Sequence, residues 1–337
     1  MAKDVYILAI ESSCDDTSVA VLKNRLVLSN VVATQKVHEE FGGVVPELAS
    51  RAHQKNIVPT LDKALKDAKV NLSAISAIAF TKGPGLLGSL LVGVSFAKSL
   101  SLALGIPLIE INHMEAHILA HLIADGSVEP SFPFICLTVS GGHTQLVKVS
   151  SPYEFEVLGQ TIDDAAGEAF DKIAKIMNLP YPGGPVLDRL AQKGNPTRFQ
   201  FSLPKTDQYN FSFSGLKTSV LYFLQKEMKK DDAFIENNLE DLCASVQKAI
   251  LQVLFVKLEL LVKDTSIKRI AIAGGVSANS GLRALLKDKK QQGWEVFVPD
   301  FSYCTDNAAM IGIAGYYKYL KADFSDLSVA AEARLKL

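Results

Sequence analysis

Two stretches of this chain repeat one plan: an apolar run, a short polar turn and a second run in which apolar and polar residues alternate. They are DVYILAIESSCDDTSVAVLK, residues 4–23, and PFICLTVSGGHTQLVKVS, residues 133–150. Runs of this length and alternation predict strands, and the small polar residues between them predict turns. A chain that starts twice in the same way is constrained to two related α/β halves.

The elements that follow each stretch also match in order. After the first stretch come a helix, an apolar strand and a long helix, and after the second the same three elements recur, over NIVPTLDKALKDA, AISAIAF and GSLLVGVSFAKSLSLAL and over NLEDLCASVQKAILQVLFVKLELLVK, IKRIAIAGG and NSGLRALLK. This order predicts a duplicated α/β fold facing a central cleft, although sequence similarity between the halves is faint. We expect an N-terminal lobe of residues 1–112 joined by a C-terminal helix at about 307–330. The C-terminal lobe, 113–306, would carry metal and nucleotide sites and an irregular insertion at about 151–215.

Composition narrows the class of protein. The chain has 337 residues, of which 48% are hydrophobic and 21% charged, and a net charge of −1 that offers no global attraction for nucleic acid. The four cysteines lie far apart without a CxxC pair, which fits a reducing compartment. The N-terminal run VYILAI is too short for a signal sequence, and no stretch approaches the roughly twenty apolar residues of a membrane span. We therefore predict a cytoplasmic protein without a membrane partner.

The stretch INHMEAHILAH, residues 111–121, carries a histidine at every fourth position. In a helix, positions four apart share one face, so His113 and His117 can point at a single ion. His121 would lie about 12 Å along the axis from His113, too far to share it. Glu115 would face roughly the opposite side, unlike the base of the zinc peptidase pattern H-E-x-x-H. The simpler alternative is a set of polar residues on a helix face.

A third metal ligand has to come from a distant part of the chain. Asp306 in YCTDNAAM follows the apolar-aromatic run VFVPDF and precedes an apolar helix, a strand-to-helix corner of the kind that faces a cleft. Its alternative role is to cap the N-terminus of that helix. Two imidazoles and a carboxylate suit zinc or ferrous iron better than magnesium. The candidate metal ligands are therefore His113, His117 and Asp306.

Three turns of small residues are candidate phosphate or nucleotide sites. SGG at 140–142 follows an apolar strand, and GGVSAN at 274–279 opens a helix, where Asn279 can hydrogen-bond a ribose or a purine edge. The third, GPGLLGSLLVG at 83–93, has the glycine spacing of a P-loop but carries Ser89 where the lysine belongs, so it is not a Walker A motif. Glycine also serves turns for steric reasons alone, so each turn by itself is a weak signal.

Ten motifs occur in one order along the chain: ESSCDDTSVAV, GGVVPELASRAH, GPGLLGSLLVG, HMEAH, SGGHT, AAGEAFDK, YPGGP, FSFSGLKT, AGGVSAN and CTDNAAM. This series resembles the bacterial TsaD family of tRNA threonylcarbamoyladenosine biosynthesis proteins, from about residue 5 to about residue 315. The family pattern often reads HMEGH, and Ala116 departs from it at a position outside the ligands. The resemblance implies the two-lobed fold of the actin, sugar kinase and heat-shock protein superfamily.

The resemblance also implies site residues. One divalent metal ion, iron(II) with zinc as the alternative, would be held by His113, His117 and Asp306. Asp15 and Asp16 would lie at the cleft mouth and matter for activity, although a plain turn between two strands explains them as well. We hypothesise that one of this pair receives the amine proton of the reaction. Substrate contacts are implied for Thr138, Val139, Ser140, Gly141, Gly142, Asp171, Gly184, Asp188 and Asn279.

The implied reaction transfers a threonylcarbamoyl group from threonylcarbamoyl-adenylate to the exocyclic amine of the adenosine next to the anticodon, in tRNAs that read codons beginning with A. AMP is released. The implied partners are tRNA, a TsaB-like dimerising relative and a TsaE-like ATPase, which would share RNA binding with a chain of neutral charge. We expect the irregular insertion and the stretch just after it to contact the tRNA backbone through Arg189, Lys193, Arg198, Lys205 and Lys217. Two rival functions are a metallopeptidase and a non-enzymatic, actin-like nucleotide-switch scaffold.

Overall fold

Two five-stranded mixed sheets organise the chain in the computed structural model, which describes residues 4–337 apart from the side chain of Glu39. The strands of the first sheet are β1 (Tyr6–Glu11), β2 (Thr17–Lys23), β3 (Leu26–Ala33), β4 (Ala77–Gly83) and β5 (Leu108–Asn112). Those of the second are β6 (Phe134–Val139), β7 (Thr144–Ser151), β8 (Glu154–Gln160), β9 (Arg269–Ala273) and β10 (Glu295–Phe297).

Both sheets have the same strand order. The first runs β3-β2-β1-β4-β5, and the second, read from its other edge, runs β8-β7-β6-β9-β10. In each sheet the first strand pairs antiparallel with the second and parallel with the fourth, and the fourth pairs parallel with the fifth. The predicted duplication of an α/β fold is therefore confirmed at the level of topology.

Ten α-helices accompany the sheets in the described part of the chain. They are α1 (Pro46–Ala68), α2 (Leu87–Leu104), α3 (His113–Leu119), α4 (Ala166–Ile176), α5 (Gly183–Ala191), α6 (Ser214–Met228), α7 (Phe234–Asn237), α8 (Leu239–Thr265), α9 (Ser280–Gln291) and α10 (Ala308–Leu320). Short 3-10 segments lie at Lys36–Phe41, Leu72–Ala74, Ala120–Leu122, Gly275–Ala278 and Phe301–Tyr303.

The chain divides into two compact units by its contacts. The first comprises residues 1–130, 151–155 and 299–337, and the second comprises 131–150 and 156–298. This division differs from the expected lobe boundary, because α3 starts directly at the end of β5 and α10 packs against both α3 and β1. The candidate metal ligands, expected in the C-terminal lobe, therefore all belong to the first unit.

The core of the first unit lies between the sheet and helices α1 and α2. Every residue of β4 from Ala77 to Thr81 is buried, as expected for a central strand with helical cover. Helix α2 is also long and apolar enough by composition to cross a membrane, which the sequence analysis did not anticipate. Its buried residues Leu90, Val94 and Ala97 belong to the core cluster that also holds β1 and β4, as in a core helix.

The second unit has a larger apolar core. All six residues of β6 are buried, and so are fifteen residues of α8, which carries apolar side chains around most of its circumference. The insertion expected to be irregular holds β8, α4 and α5, with a stretch of turns and irregular backbone at 192–213. The amphipathic face of α4, which includes Phe170 and Ile173, joins the core cluster.

A segment after α10 runs back along the first sheet, and we call residues 325–336 the C-terminal strap. Ser325 N donates to Leu108 O at 2.8 Å, and Glu332 N donates to Lys82 O at 2.9 Å. At its far end, the carbonyl of Lys336 accepts a hydrogen bond of 2.9 Å from Asn112 Nδ2. The strap therefore runs from the start of β5, at Leu108, to the carboxyl ends of β4 and β5, at Lys82 and Asn112.

Candidate metal centre and substrate-binding turns

The three predicted metal ligands converge in the first unit. Their ligand atoms lie within 4.8 Å of one another. The same oxygen of Asp306, Oδ1, is 3.3 Å from His113 Nε2 and 3.2 Å from His117 Nε2. Ligand atoms about 2.1 Å from one ion are separated by roughly 3.0–3.4 Å in octahedral or tetrahedral geometry, so these spacings suit a single metal ion. His121 is not part of the cluster.

Two asparagine caps place these ligands. Asn112 Oδ1 accepts from Met114 N at 2.8 Å, so α3 begins at His113 immediately after β5. Asn307 Oδ1 accepts from Met310 N at 3.1 Å and caps α10. The alternative role weighed for Asp306, capping this helix, is thus taken by its neighbour. Asp306 keeps its carboxylate for the two imidazoles.

The charges around the histidines favour a cation. Burial lowers the pKa of His113, but the carboxylates of Asp306 and Glu11 outweigh this and hold it well above the ordinary value. Burial lowers the pKa of His117, which is therefore a neutral imidazole, the form that binds metals. Burial would raise the pKa of Asp306, yet its contacts with the two histidines lower it overall. The carboxylates of Asp306 and Glu11 therefore stabilise a positive charge at this position.

The residues present fit a resident ion. Glu11 Oε2 lies 3.1 Å from His113 Nδ1, and an ionised carboxylate can only accept there, which places a proton on Nδ1. The lone pair of Nε2 then faces Asp306 Oδ1, unless a second proton or a cation lies between them. His117 Nδ1 is buried without a hydrogen-bond partner among the described residues, so Nε2 makes the only polar contact of this ring. An imidazole–imidazole–carboxylate set suits Fe(II) or Zn(II).

The acidic pair Asp15 and Asp16 lies in the turn between β1 and β2 and is partly buried. Burial raises the pKa of Asp16 to about 6, and the neighbouring charge of Asp15 adds to this. Asp16 Oδ1 is buried and has no hydrogen-bond partner within the described residues. The turn thus carries a carboxyl group that changes charge near neutral pH.

Residues outside the predicted set brace this turn. His53, fully buried in α1, donates from Nε2 to Cys14 O at 2.9 Å and accepts at Nδ1 from the Thr17 hydroxyl at 2.8 Å. Ser89 Oγ donates to the same Cys14 carbonyl at 2.9 Å. The sequence analysis missed the role of His53, and its only signal was membership of the motif GGVVPELASRAH.

The glycine-rich stretch at 83–93 packs against the acidic turn. Leu86 N donates to Ser13 O at 2.7 Å, and a Cβ at Gly85 would lie 2.4 Å from that oxygen. A Cβ at Gly93 would lie 2.2 Å from Ser12 Oγ. These glycines therefore allow close packing between β1 and α2, which agrees with the conclusion that the stretch is not a Walker A motif.

In the second unit, three glycine-bearing segments meet at the end of β6. Ser140 O accepts from Gly167 N at 3.1 Å. Gly274, at a φ of +88°, leaves only 2.5 Å between an added Cβ and Val139 O. Gly141 and Gly142 are exposed, and an added Cβ there would meet nothing within 4 Å. The exposed backbone of this turn is open to a ligand, whereas the side chains of Thr138 and Val139 are fully buried in β6.

Two aspartates of the predicted substrate set already bind helix N-termini. Asp171 Oδ1 accepts from Gly184 N at 2.9 Å, at the start of α5. Asp188, inside α5, accepts from Ser280 N at 3.0 Å and from Ser280 Oγ at 2.6 Å, at the start of α9. Burial raises the pKa of Asp171, against the hydrogen bonds from the α5 backbone. Both carboxylates therefore order this part of the unit, and both stay partly exposed.

The side chain of Asn279 is engaged within the protein. Its Oδ1 accepts from Leu282 N at 2.9 Å and caps α9, and its Nδ2 donates to Gln247 Oε1 at 2.8 Å. The residue is 8% exposed. The suggested hydrogen bond to a ribose or purine would need the remaining donor of Nδ2 or the backbone.

The basic residues expected to contact RNA are partly neutralised. Lys193 lies 3.8 Å from Glu240, Arg198 3.3 Å from Asp241, and Lys217 3.5 Å from Asp164. Arg189 and Lys205 are exposed. The positive potential of this segment is therefore smaller than its composition indicates.

Comparison with known proteins agrees with these motifs. The family model TsaD, tRNA N6-adenosine threonylcarbamoyltransferase, matches residues 26–313. Proteins with this name are 64% identical in Christiangramia forsetii, with 98% of each chain covered, and 58% identical in Porphyromonas gingivalis, with 99% covered. A relative from Clostridioides difficile with the same name is 49% identical over 99% of both chains.

Solved structures support the fold. HypF from T. kodakarensis matches with a TM-score of 0.60 at 14% identity, covering 96% of this chain and 49% of that one. A full-length HypF in a phosphate- and nucleotide-bound form matches with a TM-score of 0.62 at 14% identity, covering 94% and 46%. With the repeated strand order, this likeness confirms the predicted fold class, a duplicated α/β fold. The match of the family model over most of the chain, and relatives of this identity over nearly its full length, show that the chain belongs to the TsaD family of tRNA N6-adenosine threonylcarbamoyltransferases.

Proposed function

We propose that this chain transfers the threonylcarbamoyl group from threonylcarbamoyl-adenylate to the exocyclic amine of the adenosine next to the anticodon, in tRNAs that read codons beginning with A, with release of AMP. The observation that carries the proposal is the convergence of His113, His117 and Asp306 in a chain of this family. The burial of the histidines limits the access of water that would compete with substrate at the site. The side chain of Asp306 is 30% exposed and stays accessible to substrate.

The metal site would hold iron(II), with zinc as the alternative. His113, His117 and Asp306 supply three ligand atoms and leave further coordination positions open for substrate oxygens. When bound, the ion supplies a Lewis acid and a template for the carbamoyl carbonyl.

Asp16 is the better candidate of the acidic pair for receiving the amine proton. A general base works best when its pKa lies near the working pH, and burial brings the pKa of Asp16 to about 6. Its Oδ1, without a protein partner among the described residues, has an unused lone pair for that proton. Asp15, its neighbour in the turn, would keep Asp16 basic through its negative charge.

The second unit would bind the adenylate. The exposed backbone of Gly141 and Gly142 can donate N–H groups to the phosphate, whereas Ser140 N already donates to His143 O at 2.8 Å. The remaining predicted contacts, Thr138, Val139, Asp171, Gly184, Asp188 and Asn279, would act through backbone groups and through carboxylate oxygens with lone pairs left over. Ribose hydroxyls are suitable donors for Asp171 and Asp188.

The proposed partners are tRNA, a TsaB-like subunit and a TsaE-like ATPase, and the proposed location is the cytoplasm. A net charge of −1 supports shared RNA binding, because a lone tRNA-binding chain needs a strong positive surface. A metallopeptidase is less well supported. The groups whose charges act on Glu115 are Lys318 and Asp323, not the metal ligands, so Glu115 does not take the place of the glutamate base of the zincin pattern.

Reconstitution tests the function. The purified chain, loaded with Fe(II) or Zn(II), is mixed with its partner subunits, threonylcarbamoyl-adenylate and unmodified tRNA, and the nucleosides are analysed by mass spectrometry. We expect one threonylcarbamoyladenosine per tRNA and one AMP. His117→Ala should reduce the single-turnover rate by at least about 100-fold.

Glu115→Gln, on the same helix, is the matched control and should stay within about twofold of the wild type. Full transfer by His117→Ala with no bound metal would contradict the proposed metal role. Absence of the modified nucleoside, in a mixture where a curated relative is active, would contradict the function itself.

A further inference from the structure

We propose that Glu11 is a positioning residue that holds the proton of His113 on Nδ1, so that Nε2 is the atom available to the metal. The inference rests on the proposed metal site and adds a residue that the motif series does not assign to it. Glu11 is the last residue of β1 and is fully buried, 102 positions before His113 in sequence. A carboxylate is kept in such a place only when its oxygens are well paired.

Three parallel strands bring this group together. β1, β4 and β5 are parallel neighbours in the first sheet, so the carboxyl ends of the three strands lie on the same side of the sheet. Glu11 ends β1, Thr81 lies near the end of β4, and His113 follows β5 directly. The contact is thus a consequence of sheet register, in the place where parallel sheets collect functional groups.

The hydrogen bonds of Glu11 fix its orientation. Oε1 accepts from Ser13 N at 2.5 Å, and Oε2 accepts from the Thr81 hydroxyl at 2.5 Å. Oε2 also lies 3.1 Å from His113 Nδ1. Because Ser13 N is a backbone donor and cannot turn away, the carboxylate is held with Oε2 towards the imidazole.

The tautomer of His113 follows from this arrangement. An ionised carboxylate has no proton to donate, so the hydrogen of the contact belongs to Nδ1. Ser13 Oγ, 3.2 Å from the same nitrogen, can accept from it as well. The lone pair is therefore on Nε2, the nitrogen 3.3 Å from Asp306 Oδ1. Carboxylate partners of this kind orient ligand histidines, and their loss typically costs about 10–100-fold in metal affinity.

The substitution Glu11→Gln makes a sharp test. The amide has one acceptor, which Ser13 N engages, so its NH₂ group turns towards His113. That donor would bond to Nδ1 and move the proton to Nε2. We expect the dissociation constant for Zn(II), measured on the purified full-length chain by competition with a chelator, to rise at least about tenfold.

Imidazole nitrogen NMR gives a second readout. In the Zn(II)-loaded wild type, the His113 signal, assigned with His113→Asn, should show a protonated Nδ1. In metal-free Glu11→Gln it should show Nδ1 without a proton, whereas metal-free wild type should keep the proton on Nδ1. Neither measurement involves tRNA or adenylate, so a failure of the proposed reaction would leave both results intact.

Glu110→Gln is the matched control, because Glu110 lies on β5 and pairs with Lys82 at 3.1 Å, away from the histidines. Its Zn(II) affinity should stay within about twofold of the wild type. If Glu11→Gln fails to fold, Glu11→Asp replaces it, since the shorter side chain draws the carboxylate back from His113 and should also weaken Zn(II) at least about tenfold. Wild-type affinity in the variant that folds, or a protonated Nε2 in the Zn(II)-loaded wild type, would overturn the proposal.

Discussion

At the scale of single residues, the metal centre consists of three candidate ligands and of the side chains that orient them, among them Glu11 beside His113. His113 and His117 are predictable because positions four apart share a helix face, and Asp306 because it stands at a strand-to-helix corner. Glu11 is not predictable in this way, because its contact with His113 depends on which strands become neighbours. The residue that caps α10 is not predictable either. Aspartate and asparagine both cap helices, and of the neighbours Asp306 and Asn307 it is Asn307 that does so.

The pKa of Asp16 predicts a pH-dependent stability. Since burial raises it from 3.8 to about 6, the folded state holds the proton more tightly than the unfolded state. The contribution of Asp16 to stability should therefore fall as the pH rises from about 4 to about 6, by at most about 3 kcal/mol. Asp16→Asn cannot ionise and should be more stable than the wild type by up to this amount at about pH 8, with the advantage disappearing near pH 3.

Urea unfolding at several pH values measures this difference. The comparison near pH 3, where the side chain at position 16 is neutral in both proteins, is the internal control. A gap between wild type and Asp16→Asn that stays constant from pH 3 to about pH 8 would contradict the shifted pKa.

At the scale of elements, apolar periodicity predicts the strands and long helices, but not how closely their ends approach. The helix predicted at 56–68 in fact begins at Pro46, a residue suited to a first helical turn. The turns at 140–142 and 274–279 are both predicted to bind phosphate or nucleotide, and in the structure the second packs on the carbonyl that precedes the first. This contact forms only because β6 and β9 are neighbours in the folded sheet, so no local sequence pattern predicts it.

Two neighbouring glycines test this contact. Gly274→Ala places a Cβ 2.5 Å from Val139 O at a φ of +88°, whereas Gly275→Ala meets nothing within 4 Å. We expect the free energy of unfolding to fall by about 2–4 kcal/mol for Gly274→Ala, from backbone strain and overpacking. Gly275→Ala should change it by less than about 1 kcal/mol. Denaturant unfolding measures both, and equal losses for the two variants would contradict the proposed packing.

At the scale of the whole molecule, the duplication is the most predictable property and the lobe boundary the least. Matching element order indicated two α/β halves, and the shared strand order confirms them. The predicted C-terminal helix, α10, does belong to the first unit, whereas α3 was expected in the other lobe. The apolar face of α3 fits more than one neighbour from sequence alone. The predicted central cleft remains a prediction.

Charge at this scale predicts how tRNA binding depends on salt. Of the expected contacts, Arg189 and Lys205 are exposed, while Lys193 is paired with Glu240. Lys205→Ala should weaken tRNA binding by the chain with its partners and reduce the slope of log affinity against log salt by about 1. Lys193→Ala should change the slope by less, because its charge is already balanced. Filter binding across salt concentrations measures both, and unchanged slopes in both variants would remove this segment from the RNA interface.

The C-terminal strap links the last part of the chain to the first turn of the helix that carries both histidines. The side chain of Asn112 makes this link, because its Oδ1 caps α3 and its Nδ2 donates a hydrogen bond to the Lys336 carbonyl. Thermodynamic coupling is reciprocal, so an ion that stabilises α3 also stabilises the strap. Conversely, local unfolding of the strap should lower the affinity of the site for the ion. Protease accessibility of the final residues would therefore serve as a gauge of metal loading.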